Sequence, residues 1–404
     1  MEPRFIQIHS LTSYPGTLLN RDDAGFAKRL PFGGASRIRI SSQCLKRHWR
    51  TFTGEGALNA IAGVAESVRS RLTFERRIVE PLVAEGLADG AVRDVAKSLM
   101  TLVLGQSAKA KKAAKDEPEP GLETGQITVL GQPEIDWLKS LVREACQAGS
   151  SDPKKSVKAL EDRLKGEGRK NAAALGKAAA GLDAAMFGRM VTSDMLARGD
   201  AAVHVAHAFT VHAEEAETDY FSAVDDLLGT RADDEALGAG HIGTSELTTG
   251  LFYSYVTIDV PLLVSNIEGC EPKEWKDANR TIAAQVAERM VHLIATVSPG
   301  AKLGSTAPHA YAQLVLAELG VSQPRTLANA FLRPTSPRPD LLANAYDDLA
   351  RHVRDLDGMY GVTTERALAG IGPVDRVQQA TGIQQRSTLG QVASWIGERV
   401  RAAS

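Results

Sequence analysis

Residues Asn20 to Arg50 have the sequence NRDDAGFAKRLPFGGASRIRISSQCLKRHWR, which combines positive charge, a glycine turn, a strand pattern and a helix start. Between Asp23 and Glu55 there is no acidic residue, and the basic residues are Lys28, Arg29, Arg37, Arg39, Lys46, Arg47 and Arg50. Such a run favours a polyanionic partner, although a run of charges can also be a solvated surface. We interpret the rest of the chain as a scaffold that presents this stretch.

The first half of the stretch predicts a turn followed by a strand. Phe32-Gly33-Gly34 allows a sharp turn and the close approach of a phosphodiester backbone. Arg37 to Ile40 alternates with period two. One face of this strand is therefore expected to present guanidinium groups while the other buries isoleucine.

The second half predicts a helix. Ser41 or Ser42 can cap a helix in which Leu45 and Trp49 lie one turn apart on the buried side. Backbone N–H groups at a helix N-terminus favour phosphate. The exposed positions near this N-terminus hold Lys46, Arg47 and Arg50.

The basic stretch is local in a chain that is acidic elsewhere. The chain has 47 Lys and Arg against 49 Asp and Glu, a formal net charge of −2. Without the seven basic residues of the stretch, 40 basic residues face those 49 acids. Nucleic acid would therefore bind along a stripe rather than over the whole surface.

Length and composition favour a globular, soluble protein with two lobes, or with one core and large insertions. The chain has 404 residues and no apolar run long enough to span a bilayer. The N-terminus MEPRFIQIHS opens into a strand pattern rather than a signal peptide, so we expect a cytoplasmic protein with no membrane partner. The scattered cysteines, without a CxxC pair, argue against a structural zinc site and a disulfide framework: Cys44, Cys146 and Cys270.

A block of helical patterns, residues 57–182, interrupts the strand patterns and predicts an insertion between residues 1–56 and 183–404. The predicted strands are Phe5 to His9, placed centrally, then Ala201 to Val211, Phe252 to Val264 and Tyr311 to Leu319. The predicted helices cover Ala57 to Leu104, Pro133 to Cys146, Val157 to Leu164, Asn171 to Ala180, Ile282 to Val297, Pro339 to Leu356 and the chain from about Ser387. Residues 105–125 predict a solvated linker. Strand–helix–strand passages with helices on one face suit a ferredoxin-like or RRM-like α+β core, but the residues alone do not choose that topology.

The sequence offers no convincing catalytic, cofactor or metal site. His204 and His207 would point to opposite faces of a strand, and neither they nor His212 have an acid or cysteine at matching spacing. Phosphate-loop, dinucleotide and nucleophile-elbow fingerprints are absent. Asp22 and Asp23 admit a metal site, but we favour a local turn with a charge pair.

Two aromatic pairs bear on nucleic-acid binding. Tyr220 and Phe221 lie in the acidic segment 213–247, whose glycines return the chain to a strand as in a projecting hairpin. Exposed rings of this kind stack on bases at about 1–3 kcal/mol per base, whereas the alternative places them in a core. Tyr253 and Tyr255 share one strand face, where we favour the core over base stacking.

Several motifs occur in a fixed order. They are LNRDD, FGG and RIRISSQCLKRHWR in the basic stretch, then GRMVTSDM (Gly188 to Met195), DYFSAVDDL (Asp219 to Leu227), HIGTSELTTGLFYSY (His241 to Tyr255) and SPGAK (Ser298 to Lys302). Together they resemble the repeated backbone subunit of Cascade, the type I-E CRISPR surveillance complex (the CasC family). The stretch GTRADDEALGAG before His241 looks longer than the family's form.

The resemblance implies a hand-shaped protein. An RRM-like palm would occupy residues 1–56 and 183–404, a helical finger domain residues 57–182, and a projecting thumb hairpin residues 213–247. In the family the thumb reaches over the neighbouring copy and kinks the guide, and Met190 resembles the residue that packs against a displaced base, although methionine is most often core filling. The expected RNA contacts are Asn20, Arg21, Arg37, Lys46, Arg47, Arg50, Arg189, Met190, Tyr220, Phe221 and Lys302.

The function implied by the resemblance is structural rather than catalytic. We expect a subunit that needs no cofactor or metal and polymerises head-to-tail along a CRISPR guide RNA, beside other Cascade subunits. It would hold the guide for pairing with target DNA, so that base pairing and not the protein reads sequence. The alternative is a metal-dependent CRISPR-associated nuclease that uses Asp22 and Asp23.

Overall fold

The computed structural model describes residues 3–104, 122–164, 178–189, 199–214, 216–224 and 239–402, with the backbone alone for 216–224 and 239–245. Within these residues the fold is mixed α/β and is built around an antiparallel sheet. No helix in this part of the chain is both long enough and apolar enough to cross a bilayer.

Strands and helices alternate along the described chain. The strands are β1 (Phe5–Thr17), β2 (Arg29–Phe32), β3 (Ala35–Ile40), β4 (Ser67–Ser70), β5 (Thr128–Gly131), β6 (Val203–Val205), β7 (Ala208–Thr210), β8 (Ala216–Val224), β9 (Ala239–Asp259), β10 (Ala312–Gly320) and β11 (Thr364–Gly370). The helices are α1 (Ser42–Thr51), α2 (Glu80–Ala84), α3 (Asp89–Leu104), α4 (Gln132–Ala148), α5 (Pro153–Arg163), α6 (Leu182–Phe187), α7 (Val260–Glu268), α8 (Thr281–Thr296), α9 (Leu303–Thr306), α10 (Leu341–Tyr360), α11 (Asp375–Thr381) and α12 (Leu389–Arg401).

The chain forms two compact units. Unit 1 comprises Met1–Leu58, Val205–Ile258 and Ala284–Ala403. Unit 2 comprises Asn59–His204, Asp259–Ala283 and Ser404. The basic stretch therefore lies entirely in unit 1.

The sheet of unit 1 holds the first strand in its interior. The strand order is β11-β10-β1-β9-β7-β3-β2, with β8 paired to β9. β1 runs antiparallel to β10, from Phe5 opposite Gly320 to Leu11 opposite Leu314. Every residue of β1 from Ile6 to Thr12 is buried, so both faces of this strand are covered. The central position predicted for the first strand is confirmed.

Helices cover both faces of this sheet. Tyr253 of β9 lies in one apolar cluster with Tyr346 of α10. Its neighbour Phe252, which points to the opposite face, lines a small cavity with Trp49 of α1 and Ile294 of α8. The expectation of helices on one face only is therefore wrong, whereas the core position of Tyr253, 2% exposed, is confirmed.

Unit 2 has a separate helical core. Its centre is formed by fully buried side chains of α3, α4 and α5: Val92, Val95, Leu99, Leu138, Val142 and Leu160. Helices α4 and α5 confirm the patterns that predicted them, since each places apolar residues on one buried side. Most of the linker predicted at residues 105–125 lies outside the described residues.

Two predicted elements have a different structure. Val68, assigned a helical position from its spacing, lies in β4 opposite Leu130 of β5. The strand predicted from Phe252 to Val264 ends at Asp259, because the Asp259 carboxylate accepts a hydrogen bond from Leu262 N–H at 3.0 Å and caps α7. An aspartate with a proline two residues later, Asp259-Val260-Pro261, was the available signal for this boundary.

Gly33 and Gly34 form the turn between β2 and β3. They lie between Phe32 and Ala35, which are the last paired residues of the two strands. Their φ angles are +63° and +79°, a conformation that other residues rarely adopt. A Cβ on Gly33 would lie 1.4 Å from the carbonyl oxygen of Leu332, whereas one on Gly34 would have no atom within 4 Å. Gly33 is thus required for conformation and for close packing, and Gly34 for conformation alone.

Gly33→Ala is expected to destabilise the protein more than Gly34→Ala. The Gly34 variant adds backbone strain of about 1–2 kcal/mol. The Gly33 variant adds the same strain and must also displace the Leu332 carbonyl, which raises the total to about 3 kcal/mol or more. Thermal unfolding of the two variants measures the difference. Equal losses would show that the turn moves away from Leu332 without cost.

Candidate nucleic-acid interface

Helix α1 follows β3 directly and is capped by Ser41. The Ser41 side chain accepts a hydrogen bond from Cys44 N–H at 3.3 Å, so Ser41 rather than Ser42 is the cap. Leu45 and Trp49, 5% and 1% exposed, lie on the buried side as predicted. Of the basic residues on this helix, Arg47 is exposed, and Lys46 and Arg50 are half-buried.

The first N–H groups of α1 are partly used by the protein itself. Ser42 N–H donates to Nδ1 of His207 at 3.3 Å, and the Arg39 guanidinium donates to the same nitrogen at 3.2 Å. Because both partners are donors, Nδ1 is unprotonated and Nε2 holds the ring proton. Burial, together with the charges of Arg39 and Lys28, lowers the pKa of His207 below its ordinary 6.5. His207 is therefore a neutral N–H donor at pH 7.

Three cations act on His207 or on Cys44 of α1. Lys28 and Arg39 both act on His207, and Lys28 and Arg47 both act on the thiol of Cys44, whose pKa burial raises. The Arg39 N–H also donates to the Lys28 carbonyl at 2.7 Å. We call Lys28, Arg39 and Arg47 the cationic patch. Only Arg47 was predicted as an RNA contact, although the unbroken run of positive charge contained all three.

Arg37 does not belong to the patch. It is 0% exposed, and its guanidinium donates to the carbonyl oxygens of Thr210 and Phe331 at 2.9 Å and of Phe32 at 3.3 Å. Burial lowers its pKa, and no carboxylate contributes to that shift. The prediction that Arg37 grips phosphate is therefore wrong, because its face of β3 is covered by the chain around Phe331 and does not reach solvent.

Asn20 and Arg21 lie in the loop between β1 and β2. The side-chain oxygen of Asn20 accepts a hydrogen bond from Ser41 N–H at 2.9 Å, and its carbonyl accepts one from Lys28 N–H at 2.9 Å. Asn20 therefore holds the loop against the cap of α1. Arg21 is exposed, and its backbone forms a bridge with Ala27. A phosphate contact by Arg21 remains a prediction compatible with this position.

Asp22 shapes the same loop. One oxygen of its carboxylate accepts hydrogen bonds from Ala24 N–H at 3.0 Å and Phe26 N–H at 2.9 Å. This is the local turn favoured from the sequence. Asp23 beside it is exposed. Among the residues that the structure describes, no group of three or more His, Cys, Asp or Glu could hold a metal ion.

Lys302 lies near this loop. The preceding Ala301 N–H donates to the carbonyl of Leu18 at 2.9 Å, which brings the SPGAK segment beside the end of β1. The Lys302 carbonyl accepts a hydrogen bond from the Thr306 hydroxyl at 2.7 Å, and the residue is half-buried. The structure thus brings Lys302 to the loop that contains Arg21, where its phosphate contact remains a prediction.

Arg189 lies in unit 2 and is buried. Its guanidinium donates to both carboxylate oxygens of Glu134, at 2.5 and 2.6 Å, and to the carbonyl of Val129 at 3.1 Å. Both charged side chains are 2% exposed. The prediction of a phosphate contact at Arg189 is therefore wrong, because this arginine neutralises a carboxylate inside unit 2. Met190 lies outside the described residues.

Strands β8 and β9 form an antiparallel ribbon, as the sequence predicts for the acidic segment. Tyr220 is paired through its backbone with Thr244, and Phe221 with Gly243. The side chains of Tyr220 and Phe221 lie outside the described part of the chain, so base stacking by these rings stays a prediction.

Comparison with known proteins connects this interface to one family. A family model described as CT1975-like protein (Cas_CT1975) matches residues 6–395. A chain from a structure described as "CRISPR RNA-guided surveillance complex, pre-nicking" is 23% identical, with a TM-score of 0.76 over 98% of this chain and 100% of that one. A chain from a "CRISPR RNA-guided surveillance complex" is 20% identical, with a TM-score of 0.65 over 97% and 99%. These structures show the fold, and comparison with curated proteins gives no significant match.

Proposed function

The chain belongs to the family of CT1975-like proteins, whose model spans residues 6–395, and from this membership we propose that it binds the guide RNA of a CRISPR surveillance complex. It is a non-catalytic backbone subunit of a Cascade-type complex, and the order of its motifs favours type I-E. Copies follow one another head-to-tail along the RNA, which requires a heterologous interface. The RNA so held pairs with target DNA beside the other subunits.

The observation that carries this proposal is the cationic patch. In the described part of the chain, none of Lys28, Arg39 and Arg47 forms an ion pair with a carboxylate. The chain as a whole has a net charge of −2, so the patch is a local site rather than a consequence of composition. Arg47 is exposed, and Lys28 and Arg39 are half-buried. Cations without a carboxylate partner bind phosphate without reading bases, as a subunit that repeats along any guide must do.

The purified protein tests the class of function directly. The nucleic acid that copurifies should be short RNA of uniform length, because a guide-bound filament protects a fixed length. Incubation with guide-paired RNA or DNA and Mg²⁺ should leave the strands intact. Cleavage that is lost in Asp23→Asn would replace the proposal by the nuclease function.

Lys28→Gln combined with Arg47→Gln is expected to weaken binding equally for all RNA sequences. Glutamine is polar but uncharged, so both substitutions remove the positive charge and keep a hydrophilic side chain at the surface. For single strands the slope of log affinity against log salt changes by about 0.7 per phosphate contact, and it should become shallower by about 1.4. Salt titrations on two unrelated RNA sequences measure this slope.

The matched control changes the same number of charges elsewhere. Lys154 and Lys158 are exposed on α5, outside the patch. Lys154→Gln combined with Lys158→Gln should leave the slope unchanged. If both double variants shift the slope equally, net charge and not the patch determines binding.

A further inference from the structure

The root of the β8–β9 ribbon is tied to the basic stretch by one arginine. Arg29 on β2 donates through Nε to Glu214 and through a terminal nitrogen to Glu246. Its other terminal nitrogen donates to the Ala27 carbonyl at 3.0 Å. Glu214 lies two residues before β8, and Glu246 lies on β9 opposite Thr218. Arg29 therefore contacts β9 and the residue that leads into β8, at the base of the ribbon.

Backbone and hydroxyl groups of the same region complete the network. Ser36 donates from its hydroxyl to the second oxygen of Glu214 at 2.6 Å, and Glu214 N–H donates to the Ser36 carbonyl at 2.9 Å. Ala27 N–H donates to the second oxygen of Glu246 at 2.5 Å. Each carboxylate thus uses one oxygen for Arg29 and the other for the β2–β3 hairpin or the loop before it. Such charge-assisted bonds fix geometry more strongly than neutral ones.

The two carboxylates of this network are more buried than the arginine that pairs with them. The Glu246 side chain is 6% exposed and that of Glu214 19%, whereas that of Arg29 is 36% exposed. A carboxylate as buried as Glu246 is unfavourable without a cation, and Arg29 supplies it. The two carboxylates neutralise the positive charge of Arg29, so this charge does not attract phosphate. The cations of the cationic patch differ in this respect.

We infer that Arg29 is a positioning residue: it fixes the direction of the β8–β9 ribbon relative to the RNA-binding surface and does not bind RNA. The inference rests on the proposed function, since it gives the ribbon a role between copies. As a consequence, Arg29 determines how successive copies are spaced on RNA. Lys28, Arg39 and Arg47 determine the affinity of each copy for RNA.

The test is a double-mutant cycle of Arg29→Met, Glu246→Gln and the double variant, measured by hydrogen exchange in the free protein. Amides of β8 and β9 should exchange faster in Arg29→Met, on the order of tenfold, because a charge-assisted pair is lost. The double variant should resemble Arg29→Met rather than add the two effects, because Arg29→Met already removes the pair with Glu246 together with the pair with Glu214. Additive effects, or unchanged exchange, would overturn the inference.

RNA binding distinguishes a positioning role of Arg29 from a purely structural one, because only a positioning role changes the assembly of several copies. On an RNA that accommodates one copy, Arg29→Met should keep the affinity and salt slope of the wild type. On RNA for several copies, assembly should weaken progressively with each added copy. A shallower salt slope on the short RNA would make Arg29 a phosphate contact instead.

The matched control is Arg47→Met, which removes an exposed arginine of the cationic patch on α1 that forms no ion pair with a carboxylate among the described residues. It should change the salt slope and leave ribbon exchange unchanged. If the wild-type protein binds no RNA, the proposed function fails, but the exchange cycle still decides whether Arg29 holds the ribbon.

Discussion

Glu318→Gln is expected to lower the free energy of unfolding by about 3–5 kcal/mol, because it removes the fully buried carboxylate of a network in which Asp357 is the other carboxylate that Arg325 and Arg366 contact. Glu318 on β10 is 0% exposed. Its oxygens accept hydrogen bonds from Nε2 of His9 at 3.2 Å, from Arg325 at 2.7 and 3.2 Å, from Arg366 at 2.8 Å and from the Thr364 hydroxyl at 3.2 Å. A glutamine keeps the size of the side chain but removes one of the two negative charges beside the buried Arg366 guanidinium, which then shares Asp357, at 2.6 and 2.7 Å, with Arg325. Urea or thermal unfolding measures the loss.

His9 connects Glu318 to a series of buried hydrogen bonds. Burial lowers the pKa of His9, against the raising effect of Glu318, so the ring is neutral and donates from Nε2 to the carboxylate. Its Nδ1 then accepts from the hydroxyl of Tyr253 at 2.9 Å, and that hydroxyl oxygen accepts from Leu327 N–H at 2.9 Å. The series ends at the Glu318 carboxylate, and glutamine replaces one of its two acceptor oxygens by an amide N–H donor, although both oxygens accept hydrogen bonds in the wild type.

The matched control is Glu365→Gln on the neighbouring strand β11. Glu365 pairs with Arg399 at 2.6 Å, but these side chains are 32% and 43% exposed. A surface pair of this kind contributes less than about 1 kcal/mol. Similar losses for Glu318→Gln and Glu365→Gln would contradict the buried-network argument.

The wild type and Glu318→Gln should differ in how steeply their stability falls at acid pH. Burial alone would raise the pKa of Glu318, but His9, Arg325 and Arg366 hold it well below its ordinary 4.5. The carboxylate therefore contributes its full stability above pH 4.5, and this contribution is lost as the pH falls towards the lowered pKa. The wild type should lose stability more steeply below pH 4.5 than Glu318→Gln does.

Local signals were sufficient to predict the turn, strand and helix of the basic stretch. Gly33-Gly34 specifies a turn with positive φ, Ser41 specifies a cap, and the four-residue spacing of Leu45 and Trp49 specifies the buried side of α1. Each of these three signals depends on residues no more than about four positions apart in the sequence. The same holds for the turn at Asp22, whose bonds reach only four residues.

The side chains assigned wrongly depend on distant residues instead. Arg37 has the alternation of a half-exposed strand, but it is buried because Phe331, 294 residues away, covers its face. Arg189 has its partner 55 residues away at Glu134. The His9–Glu318 pair spans 309 residues. Period and spacing report one element at a time, so they do not reveal which cations meet a carboxylate or a carbonyl across the fold.

Arg189→Met is expected to destabilise unit 2 by about 3–5 kcal/mol, because it leaves the buried carboxylate of Glu134 without its cation. Glu134 would keep one hydrogen bond, from Gly131 N–H at 3.0 Å. Thermal unfolding should show the loss. The salt slope of RNA binding should stay that of the wild type, since the guanidinium contacts no solvent. A shallower slope with unchanged stability would restore Arg189 as a phosphate contact.

The double variant Arg189→Met with Glu134→Gln distinguishes a buried pair from simple loss of packing. Removing both charges takes away the cost of desolvating them as well as their attraction, so the double variant should be more stable than Arg189→Met alone. The Gly131 N–H retains an acceptor in the glutamine oxygen, which preserves the start of α4. If the double variant is instead less stable than Arg189→Met by the full effect of Glu134→Gln, the two side chains act independently. The ion pair would then not be the reason why Arg189 is buried.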